Sequence, residues 1–144
     1  MNISARKSDY IETTGNESKQ HISAKRRLYG IVEDMGMVAD FEIHTGTTKT
    51  EIGERHYTVD LFAFWTHVAT GVTHKIAFEV EGYKGHNSRR QNARDNNRDQ
   101  GHLRKGICTV RIQMKDLVGK KNLDDTTLKH EIIWQLIRQG MNMS

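Results

Sequence analysis

The sequence has one cysteine, no internal repeat and no apolar run that approaches the length needed to span a bilayer. One cysteine excludes an internal disulfide framework and a cysteine-rich zinc site. Cys108 lies in a short apolar run, which indicates a buried strand residue rather than a catalytic thiol. The N-terminus also lacks the apolar core of a signal peptide, so we expect a cytosolic, reducing location without membrane association.

The charge of the chain is only modestly positive. A length of 144 residues with 28% charged residues is typical of one soluble globular domain. We predict that domain at residues 20–144, after a loosely ordered arm at residues 1–19. The formal net charge is +4, with the basic residues concentrated at 25–27, 89–111 and 115–121. This distribution is typical of many proteins that contact nucleic acid but is diagnostic of none.

Three helices are predicted, the first and third from apolar periodicity and the second from a segment without a helix breaker before Gly101. The first spans residues 24–35 and ends at Gly36, where a left-handed residue commonly terminates a helix. The second, at residues 88–105, is polar on nearly every face. The third carries an apolar stripe from Leu128 to Ile137, and we predict that Asp124 or Asp125 caps its start.

Four strands are predicted between these helices, at residues 38–43, 57–65, 74–81 and 107–112. The strand at 57–65 is apolar on both faces, which indicates burial on both sides. Residues 45–54 are interpreted as a loop. The element order α-β-β-β-α-β-α therefore predicts an α/β fold with a central mixed β-sheet flanked by helices.

Three carboxylates are placed where the second and third strands meet. Asp60 lies in the middle of the most apolar strand, where a lone ionised carboxylate is costly. Glu79 and Glu81 are two residues apart and therefore share one face of the next strand. A hairpin centred between Ala69 and Thr70 pairs Asp60 with Glu79.

Two interpretations of these carboxylates follow from spacing alone. Carboxylates brought close together repel, and Mg²⁺ with its preference for oxygen ligands relieves that repulsion. Such a cation also supplies the chemistry of phosphodiester hydrolysis. In the alternative, Asp60 and the glutamates lie on opposite sides of the sheet and form salt bridges with lysine or arginine.

The motifs Thr58-Val59-Asp60 and Glu79-Val80-Glu81, in this order of elements, resemble the PD-(D/E)XK nuclease superfamily. The resemblance implies a restriction-endonuclease-like core that hydrolyses DNA with Mg²⁺, for which Mn²⁺ substitutes. It implies that Asp60, Glu79 and the carbonyl of Val80 bind the metal, while Glu81 orients water or a second ion. Glu81 stands where the motif usually has lysine, and Val59 where it usually has proline.

A narrower resemblance covers about residues 24–112. The run from Phe78 to His86, followed by Asp95, Arg98, Asp99, Leu103, Gly106 and Arg111, is similar to the very-short-patch-repair endonucleases. Lys84 is close enough in sequence to replace the missing lysine. Two roles are open for His86, which are donation to the scissile phosphate as a general acid or a solvent-facing position after a glycine-rich turn. Many of these relatives carry a glutamate in the first helix, where this chain has Lys25, so a reduced or degenerate metal site is also open.

The polar helix offers a surface for nucleic acid. In the resemblance this helix borders the substrate. The resemblance therefore implies that phosphates are held by Arg90, Arg94 and Arg98, together with Lys84 before the helix. Asp95, Arg98, Asp99 and His102 fall on one face of this helix. The alternative is a solvated face of paired aspartates and arginines.

The expected function is a metal-dependent endonuclease that recognises DNA structure, because the chain has no separate recognition domain. Ile132 and Ile133 widen the apolar surface of the closing helix beyond what a small sheet needs, which indicates a homodimer through this helix. Two alternatives stay open. One is a catalytically degenerate nucleic-acid-binding protein with the nuclease fold, and the other is a structural protein whose carboxylates are merely paired.

Overall fold

The computed structural model describes residues 18–50, 53–82 and 89–143, with the side chains of 47–50, 53–56 and 89–94 outside that description. In this part of the chain, four strands form one mixed sheet that is flanked by helices. The predicted α/β class and the predicted order of the long elements are confirmed. Residues 1–17 of the predicted arm lie outside the described residues.

The elements in chain order are α1 (Lys19–Asp34), β1 (Val38–Thr50), β2 (Gly53–Thr66), β3 (Thr73–Glu81), α2 (Arg89–Arg104), β4 (Ile107–Gln113), α3 (Met114–Val118) and α4 (Asp125–Arg138). The short helix α3 was not predicted. The strands lie in the order β1-β2-β3-β4. The first two pairs are antiparallel, whereas β3 and β4 are parallel and are joined through α2.

Capping side chains set the ends of the outer helices. Ser18 accepts a hydrogen bond from the backbone N–H of His21, so α1 begins at Lys19, five residues before the predicted start. Gly36 follows α1 with φ 85°, as predicted for a left-handed terminating residue. At α4 the capping residue is Asp124, which accepts from Thr127 N at 2.7 Å.

The hairpin of β2 and β3 has the predicted register. Leu61 pairs with Phe78 and Thr66 pairs with Thr73, which is the register of a hairpin centred between Ala69 and Thr70. The centre of β2 is buried on both faces, from Val59 to Ala63 except at half-buried Asp60. This register brings Asp60 beside Glu79.

The predicted loop at residues 45–54 is wrong for the described residues. β1 and β2 continue through this region as a paired ribbon out to Thr50 and Gly53. Threonine favours extended backbone because its branched side chain packs on a pleated surface. Gly46 marks a shift in the register, so the ribbon absorbs one extra residue as a bulge.

The core lies between the sheet and the helices α1, α3 and α4. Its fully buried members include Leu28, Leu61, Phe78, Leu117 and Ile132, which represent three helices and two strands. α2 covers the other face, and its sheet-facing side chains are polar, as the predicted face of Asp95, Arg98, Asp99 and His102 requires. Within the described ranges, no helix combines the length and the apolar character that crossing a membrane requires.

The outer edge of β4 is closed by two glutamines, one on α4 and one directly after its end. Gln139 accepts from Thr109 N at 3.1 Å and donates to Thr109 O at 2.8 Å. Gln135 makes the same two bonds with the backbone of Arg111, at 3.0 and 2.8 Å. Each side-chain amide thus replaces a neighbouring strand and protects an edge that is otherwise free to pair with another chain.

We predict that Gln135→Leu lowers the free energy of unfolding by about 1–3 kcal/mol, because it leaves the N–H and C=O of Arg111 without these partners. His130→Leu is the matched control, since His130 is exposed on the same helix. Urea unfolding of the two variants measures the difference. Equal stability of both variants would contradict a role for the glutamine in closing the edge.

Candidate functional site

Asp60 and Glu79 form a carboxylate pair where β2 and β3 separate. Asp60 Oδ2 accepts from the backbone N–H of Val80 at 2.7 Å, and Glu79 Oε1 accepts from the backbone N–H of Asp60 at 3.4 Å. Side chains therefore take the place of backbone partners just beyond the last paired residues, Leu61 and Phe78. The two side chains are only 16% and 13% exposed.

The sheet changes face at this point. Residues two apart on a strand normally share a face, yet Phe41 and Leu61 belong to the larger core while Ile43 and Val59 pack in a separate cluster under α2. The break coincides with Glu42, which adopts φ 55°. Asp60 consequently lies within reach of α1, and its Oδ1 is 3.7 Å from Nε2 of His21.

Glu79 is the electrostatically strained member of the pair. Burial, and then the charge of Asp60, raise its pKa to about 8, against the opposing effect of Arg98 and Arg111. Nη1 of Arg98 donates to Glu79 Oε2 at 3.3 Å, and its guanidinium carbon lies 4.9 Å from the centre of the Tyr57 ring. The Nε atom of Arg98 is buried, and none of the described residues offers it a hydrogen bond.

Glu81 has arginine as its hydrogen-bond partner. Its Oε1 accepts from Arg111 Nη1 at 2.9 Å, and Arg111 also donates to Asp99 at 2.6 Å and lies 3.8 Å from Asp95. Each glutamate therefore has an arginine partner, as the alternative interpretation of paired carboxylates expected. Among the described residues, no group of three histidine, cysteine, aspartate or glutamate side chains is arranged to hold a metal.

The pair nevertheless has the donor set that Mg²⁺ prefers. The Asp60 and Glu79 carboxylates meet in a poorly solvated place, and the raised pKa of Glu79 reports the repulsion that a bound cation relieves. Mg²⁺ is commonly held by one or two carboxylates, with water and substrate phosphate completing its shell. Two protein carboxylates therefore suffice for this type of site.

The basic residues predicted to act here are only partly described. Lys84 and His86 lie outside the described residues. Arg90 and Arg94 lie on α2, but their side chains are outside the description. Arg98 is described, and it points to Glu79 and Tyr57.

A buried ion pair beside the site was not foreseen. Lys25 is 0% exposed and is bonded to Glu42, the residue that follows Phe41 on β1 and lies level with Asp60 in the register. His21 is one helical turn from Lys25, and its Nε2 lies 3.7 Å from Asp60 Oδ1. The only sequence signal was a lysine inside the apolar stripe of α1, between Ala24 and Leu28.

The raised pKa of Glu79 predicts a dependence of stability on pH. Because the folded-state pKa of about 8 exceeds the ordinary value of 4.5, its stabilising contribution is full below pH 4.5 and is lost as the pH rises through about 8. We predict that Glu79→Gln removes this loss. The variant should exceed the parent protein by about 2–4 kcal/mol at pH 8 and match it near pH 4, since each pKa unit corresponds to about 1.4 kcal/mol.

Urea unfolding at several pH values in EDTA measures this effect. Glu131→Gln is the control, because Glu131 is exposed on α4. Parallel stability curves for Glu79→Gln and the parent protein would contradict the raised pKa.

In comparisons with known proteins, the chain matches no protein-family model, no curated protein and no solved structure.

Proposed function

We propose that this chain is a metal-dependent endonuclease that hydrolyses DNA phosphodiester bonds at the Asp60–Glu79 pair, on a restriction-endonuclease-like core. The observation that carries the proposal is the position of this pair. Two poorly solvated carboxylates lie side by side where two central strands separate, and burial and repulsion raise the pKa of Glu79. Such strain is typical of functional sites.

The metal site would consist of Asp60, Glu79 and the carbonyl of Val80. Mg²⁺, or Mn²⁺ in its place, supplies polarisation of a phosphoryl oxygen and activation of water when bound. Asp60 is held in position by the N–H of Val80, so its Oδ1 is the oxygen directed away from the strand. Glu81, which is bonded to Arg111, would orient the attacking water.

Positive charge around the pair favours an anionic substrate. Arg98 on α2 and Arg111 on β4 both act on the charge of Glu79, and Arg98 contacts it directly. In this proposal Arg98 exchanges its contact with Glu79 for a substrate phosphate when a cation takes its place. Arg90 and Arg94 on α2, with Lys84 and His86 before it, hold the neighbouring phosphates.

The architecture supports the restriction-endonuclease-like core. A helix precedes three antiparallel strands, and a crossing helix then leads to a fourth strand parallel to the third. Asp60 and the Glu79-x-Glu81 motif lie side by side where the two neighbouring strands separate. The cytoplasmic location expected from the sequence is part of this proposal.

A homodimer through α4 belongs to this proposal. Trp134 and Ile137 on α4 are 56% and 48% exposed, which is unusual for large apolar side chains on one helix. A symmetric dimer would present two sites, which suits a branched DNA structure better than a long sequence.

The second candidate function is a nucleic-acid-binding protein without catalysis. It is favoured by the ion pairs of Arg98 with Glu79 and of Arg111 with Glu81, which satisfy the carboxylates without a metal. Both candidates bind DNA, so cleavage is the property that separates them.

The test is cleavage of labelled linear duplex, single-stranded, nicked, mismatched and four-way-junction DNA in Mg²⁺, Mn²⁺ or EDTA. We expect metal-dependent cutting, strongest on a structured substrate, together with saturable metal binding in calorimetry. Binding of DNA without cutting in either metal would favour the second candidate. Absence of both DNA binding and metal binding would reject both functions and favour a structural protein with paired carboxylates.

A further inference from the structure

A cleft lies near the carboxylate pair, between the ribbon of β1 and β2 and the C-terminal half of α2. Its volume is about 360 Å³, at the low end of small-molecule sites. This volume accommodates a single nucleotide rather than a duplex. The residues that shape the cleft are Thr45, Gly46, Tyr57, His102, Arg104 and Lys105.

One arginine separates this cleft from the carboxylates. Tyr57 forms a wall of the cleft, and Arg98 lies 4.9 Å above its ring. The same guanidinium donates to Glu79 at 3.3 Å. A strand that places one phosphate at Asp60 and Glu79 therefore has the cleft as its neighbouring position.

The floor of the cleft is rigid and uncharged. His102 is 2% exposed and is held between Thr45 Oγ1 at 2.8 Å and Thr109 Oγ1 at 2.7 Å. Burial lowers the pKa of His102, which favours the neutral ring. The floor thus carries no charge that would repel or attract an ion.

The mouth of the cleft is cationic. Arg104 and Lys105 are both exposed there, and Lys105 Nζ donates to the carbonyl of Thr45 at 2.7 Å. That bond uses one of the three donors of the ammonium group and fixes it at the rim. Among the described residues that line the cleft, two are cationic and none is acidic.

We infer that this cleft binds the nucleotide that flanks the scissile phosphate, with the phosphate held by Arg104 and Lys105 and the base against Tyr57. The inference rests on the proposed function for its substrate class. Cationic side chains bind the backbone of nucleic acid without reading its sequence, and an aromatic ring accepts the face of any base. A cationic mouth, an aromatic wall and a neutral polar floor therefore match a nucleotide in each of its parts.

The test measures DNA binding separately from cleavage. Anisotropy of a fluorescein-labelled single-stranded oligothymidylate is followed in EDTA, with full-length protein that carries Asp60→Asn. Adding Arg104→Ala and Lys105→Ala together should weaken binding about 10-fold or more and reduce the slope of log Kd against log salt by about 1–2. The control is Lys120→Ala with Lys121→Ala, which removes the same charge from an exposed loop after α3.

Tyr57 gives an independent readout of stacking. Tyr57→Leu should weaken binding by about 5-fold or more, since stacking of one base on an aromatic ring contributes about 1–3 kcal/mol. Tyr57→Phe keeps the ring and should bind like the parent protein. Comparing Tyr57→Leu with Tyr57→Phe separates the loss of the aromatic face from the loss of the hydroxyl.

Three outcomes would overturn the inference. The first is equal weakening of binding by the Arg104/Lys105 and Lys120/Lys121 double variants. The second is unchanged binding by Tyr57→Leu, and the third is no oligonucleotide binding by the protein that carries Asp60→Asn alone. Failure of the proposed function looks different. In that case the parent protein cuts no DNA in Mg²⁺ or Mn²⁺, while the contrast between the cleft and loop variants persists.

Discussion

Asp60→Asn is expected to reduce metal-dependent cleavage of DNA by more than about a hundredfold, because loss even of groups that only support a metal ligand costs about 10–100-fold. The substitution removes the negative charge while keeping the shape of the side chain. Asparagine Oδ1 still accepts from the N–H of Val80, the bond that Asp60 makes at 2.7 Å. The fold should therefore survive, and single-turnover cleavage measures the loss.

Asp40→Asn is the matched control for this prediction. Asp40 also lies half-buried on a strand and accepts a backbone N–H, that of Phe41 at 2.9 Å. Cleavage should change little in this variant. If both variants lose activity together, or if Asp60→Asn keeps it with an unchanged melting curve, then the carboxylate of Asp60 does not hold the metal.

Lys25→Met is expected to lower the free energy of unfolding by about 3–5 kcal/mol, since removing one partner of a buried ion pair leaves the other charge uncompensated. Lys25 is 0% exposed, and the side chain of its partner Glu42 is only 13% exposed. Glu42 also holds the left-handed turn of β1 beside Asp60. Urea unfolding at neutral pH measures the effect.

A double variant separates the lost pair from the lost packing. Lys25→Met with Glu42→Gln removes both charges and should recover much of the stability. Lys129→Met is the control for an exposed pair, because Lys129 bridges Asp34 at 3.2 Å on the surface. It should cost less than about 1 kcal/mol. A double variant as unstable as Lys25→Met alone would show that packing, rather than charge, dominates.

The same ion pair gives Lys25 a structural role of its own. A glutamate at position 25 would face Glu42 in a buried place, and the two charges would repel. Lys25→Glu should therefore destabilise the protein more than Lys25→Met does. The departure at position 25 is thus matched by a second residue on β1 that sequence comparison with the family motif did not include.

Several features of the fold were predictable because they depend on neighbours in sequence. The register of the β2–β3 hairpin follows from a short turn between two strands, so the neighbouring positions of Asp60 and Glu79 could be inferred. The termination of α1 at Gly36 and the cap of α4 at Asp124 are equally local. The polar face of α2 was visible as a spacing of three and four residues.

Other features were decided only when distant segments met. The predicted loop after Ile43 became paired strand, because each half of the ribbon offers the other a hydrogen-bonding edge. Glu81 was expected beside Asp60 and Glu79, and its hydrogen bond to Arg111 on the parallel strand β4 could not be inferred from the sequence. The partner of Lys25 lies 17 residues further along the chain, and the arginine that holds Glu81 lies 30 residues after it.

The sequence by itself determined the mixed sheet, the flanking helices and the pairing of Asp60 with Glu79, because periodicity and turn spacing act within single elements or between adjacent ones. Only the tertiary structure decided the partners of the charged groups, the change of face at Glu42 and the cleft beside Tyr57. Ion pairs are chosen by proximity and burial, and a charge taken out of water needs a partner from any segment that reaches it. No local pattern in this chain specifies which segment that is.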